Sequence, residues 1–466
     1  MSRRTAAMAD WMPSLAGRRG PKYLALAAAL AEDIASGRLA PGAPLPPQRE
    51  LAARLGIDLT TVTRALNEVR RDGLIEAAGR RGSFVRDTKT RSPAPAIGAA
   101  VDLSMNLTPH PASLHLCERL RDGYRTVLEA PDAAARLHYQ EPGGALTDRS
   151  AAAEWLRPRL GAIEEDRVMV AGGAQAALSA ICHQILAPNS TVIVGRATFP
   201  GMKALIEARG YRAVACEADG TGLDPDHLEQ LCRTERPAAL YCVPTLDNPT
   251  TATLPVERRQ AIAKIARAHD LTIIEDDAYG ALVPDPLAAI ATLAPERTWH
   301  IASLAKCATP ALRIAYVVAP TAGSALRLSS EIHASSIMAP PLNAALATLW
   351  LKTGTLAEIT QAILRETAAR HAILVEVLGG HDLRADPHCP HAWLSLPQSW
   401  TPMALAAAIG TGGLSVVPAE AFAATPDAPR AARLSLGAFD DLGSLRRSAR
   451  RIDALLAGPP GPAALI

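Results

Sequence analysis

The sequence predicts an α/β protein in two parts: a winged helix-turn-helix head, then a large body built around a mainly parallel sheet. Three observations predict it. Residues 46–71 read as helix, glycine-containing turn and helix, with two short strands after them. From Val101 onward short apolar runs alternate with amphipathic stretches, the pattern of strands joined through helices. Between the two, residues 88–100 (TKTRSPAPAIGAA) are rich in Pro, Ala and small polar residues, which suits a linker better than a packed element.

At 466 residues the chain exceeds one ordinary domain. The expected division is a loose tail at 1–20, the head at 21–87, the linker at 88–100 and the body at 101–466. Thirteen linker residues reach at most about 45 Å when fully extended. In the body, strands are expected at 168–170, 191–194, 238–243, 271–275, 298–303 and 314–318. A long helix over about 342–378 and short strands after it suggest a smaller α+β lobe beginning near 340.

Hydrophobic residues make up 48% and charged ones 20%, as in a globular protein with a large core. No apolar run approaches the roughly 18 residues of a membrane span, and the best candidate, 23–34, carries Glu32 and Asp33. Arg3 and Arg4 lack the apolar stretch of a signal peptide after them. A cytoplasmic protein without membrane contact is expected. The seven cysteines form no CxxC pair, so neither a disulfide framework nor a metal site is expected. Residues 1–91 hold 16 Lys and Arg against 9 Asp and Glu, a net +7; the other residues hold 32 against 37, a net −5. A basic head on an acidic body points to a polyanionic partner for the head.

In the head, 46–55 (PPQRELAARL) forms a helix that stops at Gly56, and a second helix restarts near Leu59. Leu51, Ala52, Leu55, Ile57, Val62, Ala65, Leu66 and Val69 supply an apolar stripe for a small core. Thr60, Thr61, Thr63 and Arg64 then fall at the start of the second helix, where hydroxyls and a guanidinium can meet phosphates and base edges. Two short strands bracket Arg80, Arg81 and Gly82, giving a hairpin wing with a basic tip. The pattern LPxxRELAxxLG, then ALxxVxxxGLI, then GSFV closely resembles the winged-helix heads of the GntR superfamily. That resemblance implies double-stranded DNA as the partner and Arg49, Thr60, Thr61, Thr63, Arg64 and Gly82 as the residues that touch it.

Four segments of the body carry chemistry. VMVAGGAQAAL at 168–178 is a strand, a Gly-Gly turn and a helix start, able to bring backbone N–H groups to a phosphate; a plain tight turn would look the same. PTLDNPTT at 244–251 projects Asn248 from a loop after a strand. IIEDDAYG at 273–280 places Asp276 at a strand's C-terminal end, where open α/β sheets bind ligands, with Tyr279 three residues on. SLAK at 303–306, followed by Pro310 and Arg313, offers a lysine that becomes nucleophilic if desolvated, beside a hydroxyl and a guanidinium suited to a phosphate.

In this order and at these intervals the four segments resemble the fold-type I aminotransferases, over about residues 101–455. The resemblance implies pyridoxal 5′-phosphate as cofactor, with Lys306 as the residue forming the internal aldimine. Asp276 would pair with the pyridine nitrogen, Asn248 and Tyr279 with the ring oxygen, and Phe199 would stack on the ring. Ala174, Gln175, Ser303 and Arg313 would bind the phosphate, Tyr139 would reach the phosphate of a neighbouring subunit in a homodimer, and Arg433 would grip a substrate carboxylate in a pocket that Asn106 lines. Three positions depart from the family pattern: Thr251 and Ala315 stand where glycines are usual, and Ala305 where a serine is.

Head and body together resemble the MocR subfamily of GntR-type transcription regulators. That implies a DNA-binding regulator that senses pyridoxal phosphate, an amino acid or an amine, with little or no turnover. A working aminotransferase with an accessory DNA-binding head is the alternative, and a body that merely dimerises is a third.

Overall fold

The computed structural model describes residues 11–14, 21–40, 42–71, 74–77, 83–85, 105–410, 414–439 and 441–458. The chain divides into two compact units, Met1–Val101 and Asp102–Ile466.

In the first unit three helices, Lys22–Ala35, Gln48–Leu55 and Leu59–Arg71, precede a two-stranded antiparallel ribbon of β1 (Ile75–Ala77) and β2 (Ser83–Val85). The middle helix starts two residues later than its sequence suggests, because Pro47 stays extended at ψ 139° and acts as its N-cap. It ends at Gly56, whose left-handed φ of 61° costs a residue without Cβ little. Asp58 then accepts a hydrogen bond from the Thr60 N–H and opens the third helix. Leu51, Val62, Ala65, Leu66 and Val69 are buried together with Ile75 and Val85, while Ala52, Leu55 and Ile57 pack at the edge. The expected wing tip at Arg80–Gly82 and the linker lie outside the described residues.

The second unit is organised on a seven-stranded sheet. Its strands are β3 (Val168–Ala171), β4 (Thr191–Gly195), β5 (Arg212–Cys216), β8 (Ala239–Cys242), β9 (Thr272–Asp276), β10 (Thr298–Ser303) and β11 (Ala315–Val318); a small ribbon, β6 (Ala218–Asp219) and β7 (Gly222–Leu223), lies between β5 and β8 in the chain. The order is β3-β11-β10-β9-β8-β4-β5, and β11 alone runs antiparallel to its neighbours. The strands read from sequence are present to within one residue at either end. β5 was not expected. It opens on Arg212, its first two residues are exposed, and it sits at the sheet edge, so it lacks the apolar run of a buried strand.

The single long helix expected over 342–378 is two helices, Pro341–Thr353 and Thr355–Leu378, broken at Gly354 with φ 77°. The first packs Ala344, Ala345, Leu346 and Trp350 into the core of the large lobe. The second begins in that core at Leu356 and Ile359 and ends in another through Ile373, Leu374 and Leu378. The lobe boundary expected near 340 therefore falls later, within this second helix. Beyond it stands an antiparallel sheet in the order β12-β13-β15-β14, with β12 (Leu383–Ala385), β13 (His391–Ser395), β14 (Ser415–Pro418) and β15 (Ala431–Ser435). Helices Pro402–Ile409 and Leu442–Leu456 cover one face. Among the described residues no helix is long and apolar enough to cross a membrane.

Candidate functional site

The C-terminal ends of β3, β4, β8, β9 and β10 open on one edge of the large sheet, where crossing loops leave backbone and side chains free for a ligand. Ala171, Ala315 and Ser303 are direct neighbours in register there, and Asp276 stands beside Ile301. Three of the four segments, far apart in sequence, thus meet at one place.

Lys306 sits in the one-turn helix Leu304–Cys307, which Ser303 opens by accepting a hydrogen bond from the Ala305 N–H. Its ammonium donates to the backbone carbonyl of Asn106. Burial lowers its pKa from 10.5 to about 8; the Arg433 charge pushes the same way and Asp276 opposes both. Asp276 ends β9. Its Oδ2 accepts from the Tyr241 hydroxyl at 2.8 Å, and its Oδ1 is buried with no partner. Burial, opposed by the Tyr241 hydrogen bond and helped by the neighbouring Asp277 carboxylate, raises this carboxyl to about 6. The Tyr279 hydroxyl accepts from Asn106 Nδ2 at 2.9 Å, and Asn248 Oδ1 accepts from Arg433 Nη1 at 3.0 Å. Arg433 is buried on β15 with its guanidinium carbon 5.0 Å above the Phe422 ring.

A second group gathers around the Gly172–Gly173 turn. Gly173 caps helix Ala174–Ile185 at φ 101°, and a Cβ there would lie 2.7 Å from Arg313 Nη2, so only glycine lets the guanidinium approach. Arg313 Nη2 donates to the Gly172 carbonyl at 3.3 Å. Gln175 donates to the Gly201 carbonyl, and a Cβ at Gly201 would strike both Gln175 and Phe199. Ala174, Gln175, Arg313 and Phe199 therefore converge, with Ser303 paired across the sheet to Ala315, the residue that faces Ala171. Tyr139 is not part of either group: it is 77% exposed.

The departures from the family pattern have local explanations. Thr251 adopts φ 63°, the left-handed conformation a glycine would take, and its N–H closes the loop onto the Asp247 carbonyl at 2.7 Å. A β-branched residue there costs on the order of 1 kcal/mol. Ala315 is an ordinary strand residue, so no glycine is needed. Cys307, next to Lys306, points away: its thiol meets the Ser303 carbonyl, and burial pushes its pKa up to about 12.

Sequence reasoning missed several groups. Tyr241 looked like one more apolar strand residue. His391, fully buried at the start of β13, touches Asn106 and the Asp247 carbonyl. Behind the site, Arg159 holds Asp277 through two hydrogen bonds of 2.7 and 2.9 Å. Arg259, fully buried, donates to Thr245 and to the carbonyls of Leu254, Pro244 and Ala288. Glu275 accepts two backbone N–H bonds from Ile290 and Ala291. A tyrosine within ALYCV and two adjacent carboxylates after Glu275 were the available signals; Arg159 and Arg259 gave none. A cavity of about 450 Å³ is lined by Tyr241 and Asp247 from the large lobe and by Arg384 and Trp393 from the small one.

On the head, Arg49, Thr60 and Arg64 are exposed and Thr61 and Thr63 half-buried, all on the middle and third helices. Arg64 stacks 4.4 Å above the Tyr23 ring, and Thr63 bonds Gln48, which ties the start of the third helix to the middle one. Gly82 lies outside the described residues.

The aminotransferase class I and II family model matches residues 100–452, and the model of the gntR family of bacterial regulatory proteins matches residues 22–85. The uncharacterized HTH-type transcriptional regulator YdeF of Bacillus subtilis is 28% identical over 459 residues, covering 96% of this chain and 97% of that protein. The HTH-type transcriptional regulator TauR of Rhodobacter capsulatus is 30% identical over 341 residues, 65% of this chain and 69% of that protein. Among solved structures, the α-aminoadipate aminotransferase LysN of Thermus thermophilus superposes with a TM-score of 0.69 at 24% identity, covering 76% of this chain and 91% of its own. The body therefore has the fold of the class I and II aminotransferases. The chain belongs to that family and, through the GntR-type DNA-binding head joined to it, to the MocR type of helix-turn-helix transcription regulators.

Proposed function

We propose that the body binds pyridoxal 5′-phosphate through Lys306 and uses it, with an amino acid or amine, as the signal that changes how the head binds operator DNA. The observation that carries this reading is the pairing of half-buried, desolvated Lys306 with buried Asp276, the latter with one carboxylate oxygen lacking a partner. An orphaned buried acceptor costs free energy unless a donor completes it. A protonated pyridine nitrogen is such a donor, and a lysine brought to about 8 by burial is a nucleophile matched to a carbonyl partner.

When bound, the cofactor supplies an electrophilic carbon and an electron-withdrawing ring. The residues of the chain do the rest. Asp276 holds the proton at the ring nitrogen. Asn248, whose Oδ1 is committed to Arg433, has its amide N–H free for the ring oxygen, beside the Tyr279 hydroxyl. Arg313, Ser303, Gln175 and the N–H of Ala174 hold the phosphate at the helix start, and Phe199 covers the ring. Arg433 takes the carboxylate of the amino acid, and Asn106 lines the same pocket. Tyr139, exposed in one chain, completes the phosphate site of a second copy, so the working form is a homodimer. In the head, Arg49, Thr60, Thr61, Thr63, Arg64 and Gly82 meet double-stranded DNA.

Operator DNA titrated against apoprotein, cofactor-loaded protein and loaded protein with amino acids tests the reading. A change of affinity or footprint between states supports it; identical values in all three overturn it. A working aminotransferase is the second reading, favoured by 28% identity over 352 residues to the 2-aminoadipate transaminase of Thermus thermophilus. Steady turnover on the order of 1 s⁻¹ or faster would establish it.

A further inference from the structure

His391 is unlike the residues around it: a fully buried histidine on β13, beside the two cationic groups Lys306 and Arg433. Burial first, then the two neighbouring cations, lower its pKa from 6.5 to about 3, so it is neutral at any working pH. A neutral imidazole has one N–H and one bare nitrogen. Its Nε2 lies 3.1 Å from the Asp247 backbone carbonyl, which can only accept, so the proton is on Nε2 and Nδ1 is bare. Asn106 lies 2.9 Å from Nδ1 and must therefore turn its amide N–H, not its oxygen, toward the ring. The thiol of Cys389, 3.2 Å from Nδ1 and held protonated by burial, has the same requirement.

The orientation of Asn106 then fixes that of Tyr279. With one N–H spent on His391, the other N–H of Asn106 reaches the Tyr279 oxygen at 2.9 Å. Tyr279 is the acceptor in that bond, and its own proton has to point elsewhere. Flipping Asn106 would turn this round: Oδ1 would accept from Tyr279, and the phenol would have nothing left to donate. Asn106 Oδ1 is buried without a partner in the observed orientation, a cost that the His391 contact offsets.

We propose that His391 and Asn106 are positioning residues that aim the Tyr279 hydroxyl proton into the cofactor site and so hold down the basicity of the Lys306 linkage. The proposal rests on the reading that Lys306 carries the cofactor. The groups facing His391 are Asn106, Tyr279, Cys389, Lys306, Arg433 and the Asp247 carbonyl, and of these only Asn106 and Cys389 can donate to its Nδ1. A donor at the ring oxygen competes with the protonated linkage nitrogen for the same lone pairs. It favours the unprotonated linkage, in which that oxygen carries more negative charge. Losing the donor therefore raises the pKa of the linkage.

The test uses the full-length protein reconstituted with pyridoxal phosphate, its visible absorption followed against pH. His391→Phe and, independently, Asn106→Ala should each raise the pKa of the linkage by about one unit, the worth of one hydrogen bond. His391→Gln, which can still present an oxygen to Asn106, should move back toward the unmodified protein. Tyr279→Phe should show the raised value already, and adding His391→Phe to it should change nothing further, because both act through one proton. The two variants address the same contact from either side, so one that does not fold leaves the other to decide. An unchanged or lowered pKa in a folded, fully loaded variant overturns the proposal, as does an additive shift in the double variant. Failure of the unmodified protein to take up cofactor overturns the reading beneath it, a result distinguishable by the absence of any visible band.

Discussion

Tyr241 donates its hydroxyl proton to Asp276 Oδ2 at 2.8 Å, while Asp276 Oδ1 stays buried without a partner. The two residues come from adjacent parallel strands, β8 and β9, and both are nearly or wholly inaccessible to solvent. One oxygen is thus fixed in place while the other is kept ready for a donor.

That arrangement predicts a pH-dependent cost in the apoprotein. Asp276 titrates at about 6 in the folded chain, against 3.8 for an ordinary aspartate. Between these values the folded state keeps a proton that the unfolded state releases, so stability falls as pH rises through that window. Asp276→Asn should stabilise the apoprotein by on the order of 1–3 kcal/mol above pH ~6 and by nothing near pH ~4. Urea midpoints at both values measure it. The same variant should hold the cofactor more weakly.

Lys306 predicts the pH dependence of cofactor capture. With its pKa near 8 rather than 10.5, roughly a tenth of the amine is neutral at pH ~7, about three-hundredfold more than for an ordinary lysine. The rate at which apoprotein takes up pyridoxal phosphate should rise with pH and level off above about 8. Lys306→Ala should abolish the visible band while leaving the circular dichroism unchanged.

Arg433 lies beside this lysine and lowers its pKa, and it also holds Asn248. Arg433→Gln should move the uptake profile to higher pH. It should weaken binding of an amino acid to loaded protein roughly 10- to 100-fold, the worth of a charge-assisted hydrogen bond, with a much smaller effect on cofactor affinity. Isothermal titration of each ligand separates the two effects.

Behind the site, Arg159→Met would leave the Asp277 carboxylate buried without its two-point partner. Removing one member of such a pair costs about 3–5 kcal/mol. A large drop in urea midpoint is expected, whereas Arg157→Met, at an exposed neighbouring position, should be nearly neutral.

In the head, Arg49→Ala should weaken operator binding by about 1–3 kcal/mol if its contact is a bidentate one to a base, and the loss should shrink if it reaches a phosphate alone. Arg64→Ala should weaken DNA binding and also cost the head about 0.5–1 kcal/mol, because Arg64 stacks over Tyr23. Neither should alter the visible spectrum. Binding should fall steeply with salt, as counterion release requires.

The residues that perform local tasks could be read from the sequence alone. Gly56 and Gly173 sit where a turn needs a positive φ, Asp276 and Lys306 stand at the ends of apolar strands, and the helix-turn-helix shows in one run of about forty residues. Each of these follows from neighbours within a few positions, which is the range over which propensity and periodicity act. Tertiary structure decided what those residues face. It paired Tyr241 with Asp276 across two strands and set Asn106 between His391 and Tyr279, at separations of 285 and 173 residues. It enclosed Arg159 with Asp277, and it broke the long apolar stretch after 340 at Gly354 and shared its second helix between two cores, one up to Leu364 and the other from Ile373. Burial and hydrogen-bond partners come from which surfaces meet when the sheet closes, and that meeting is long-range. The chemical identity of the site is therefore written in the sequence, whereas its protonation states are set only when the surrounding chain excludes water.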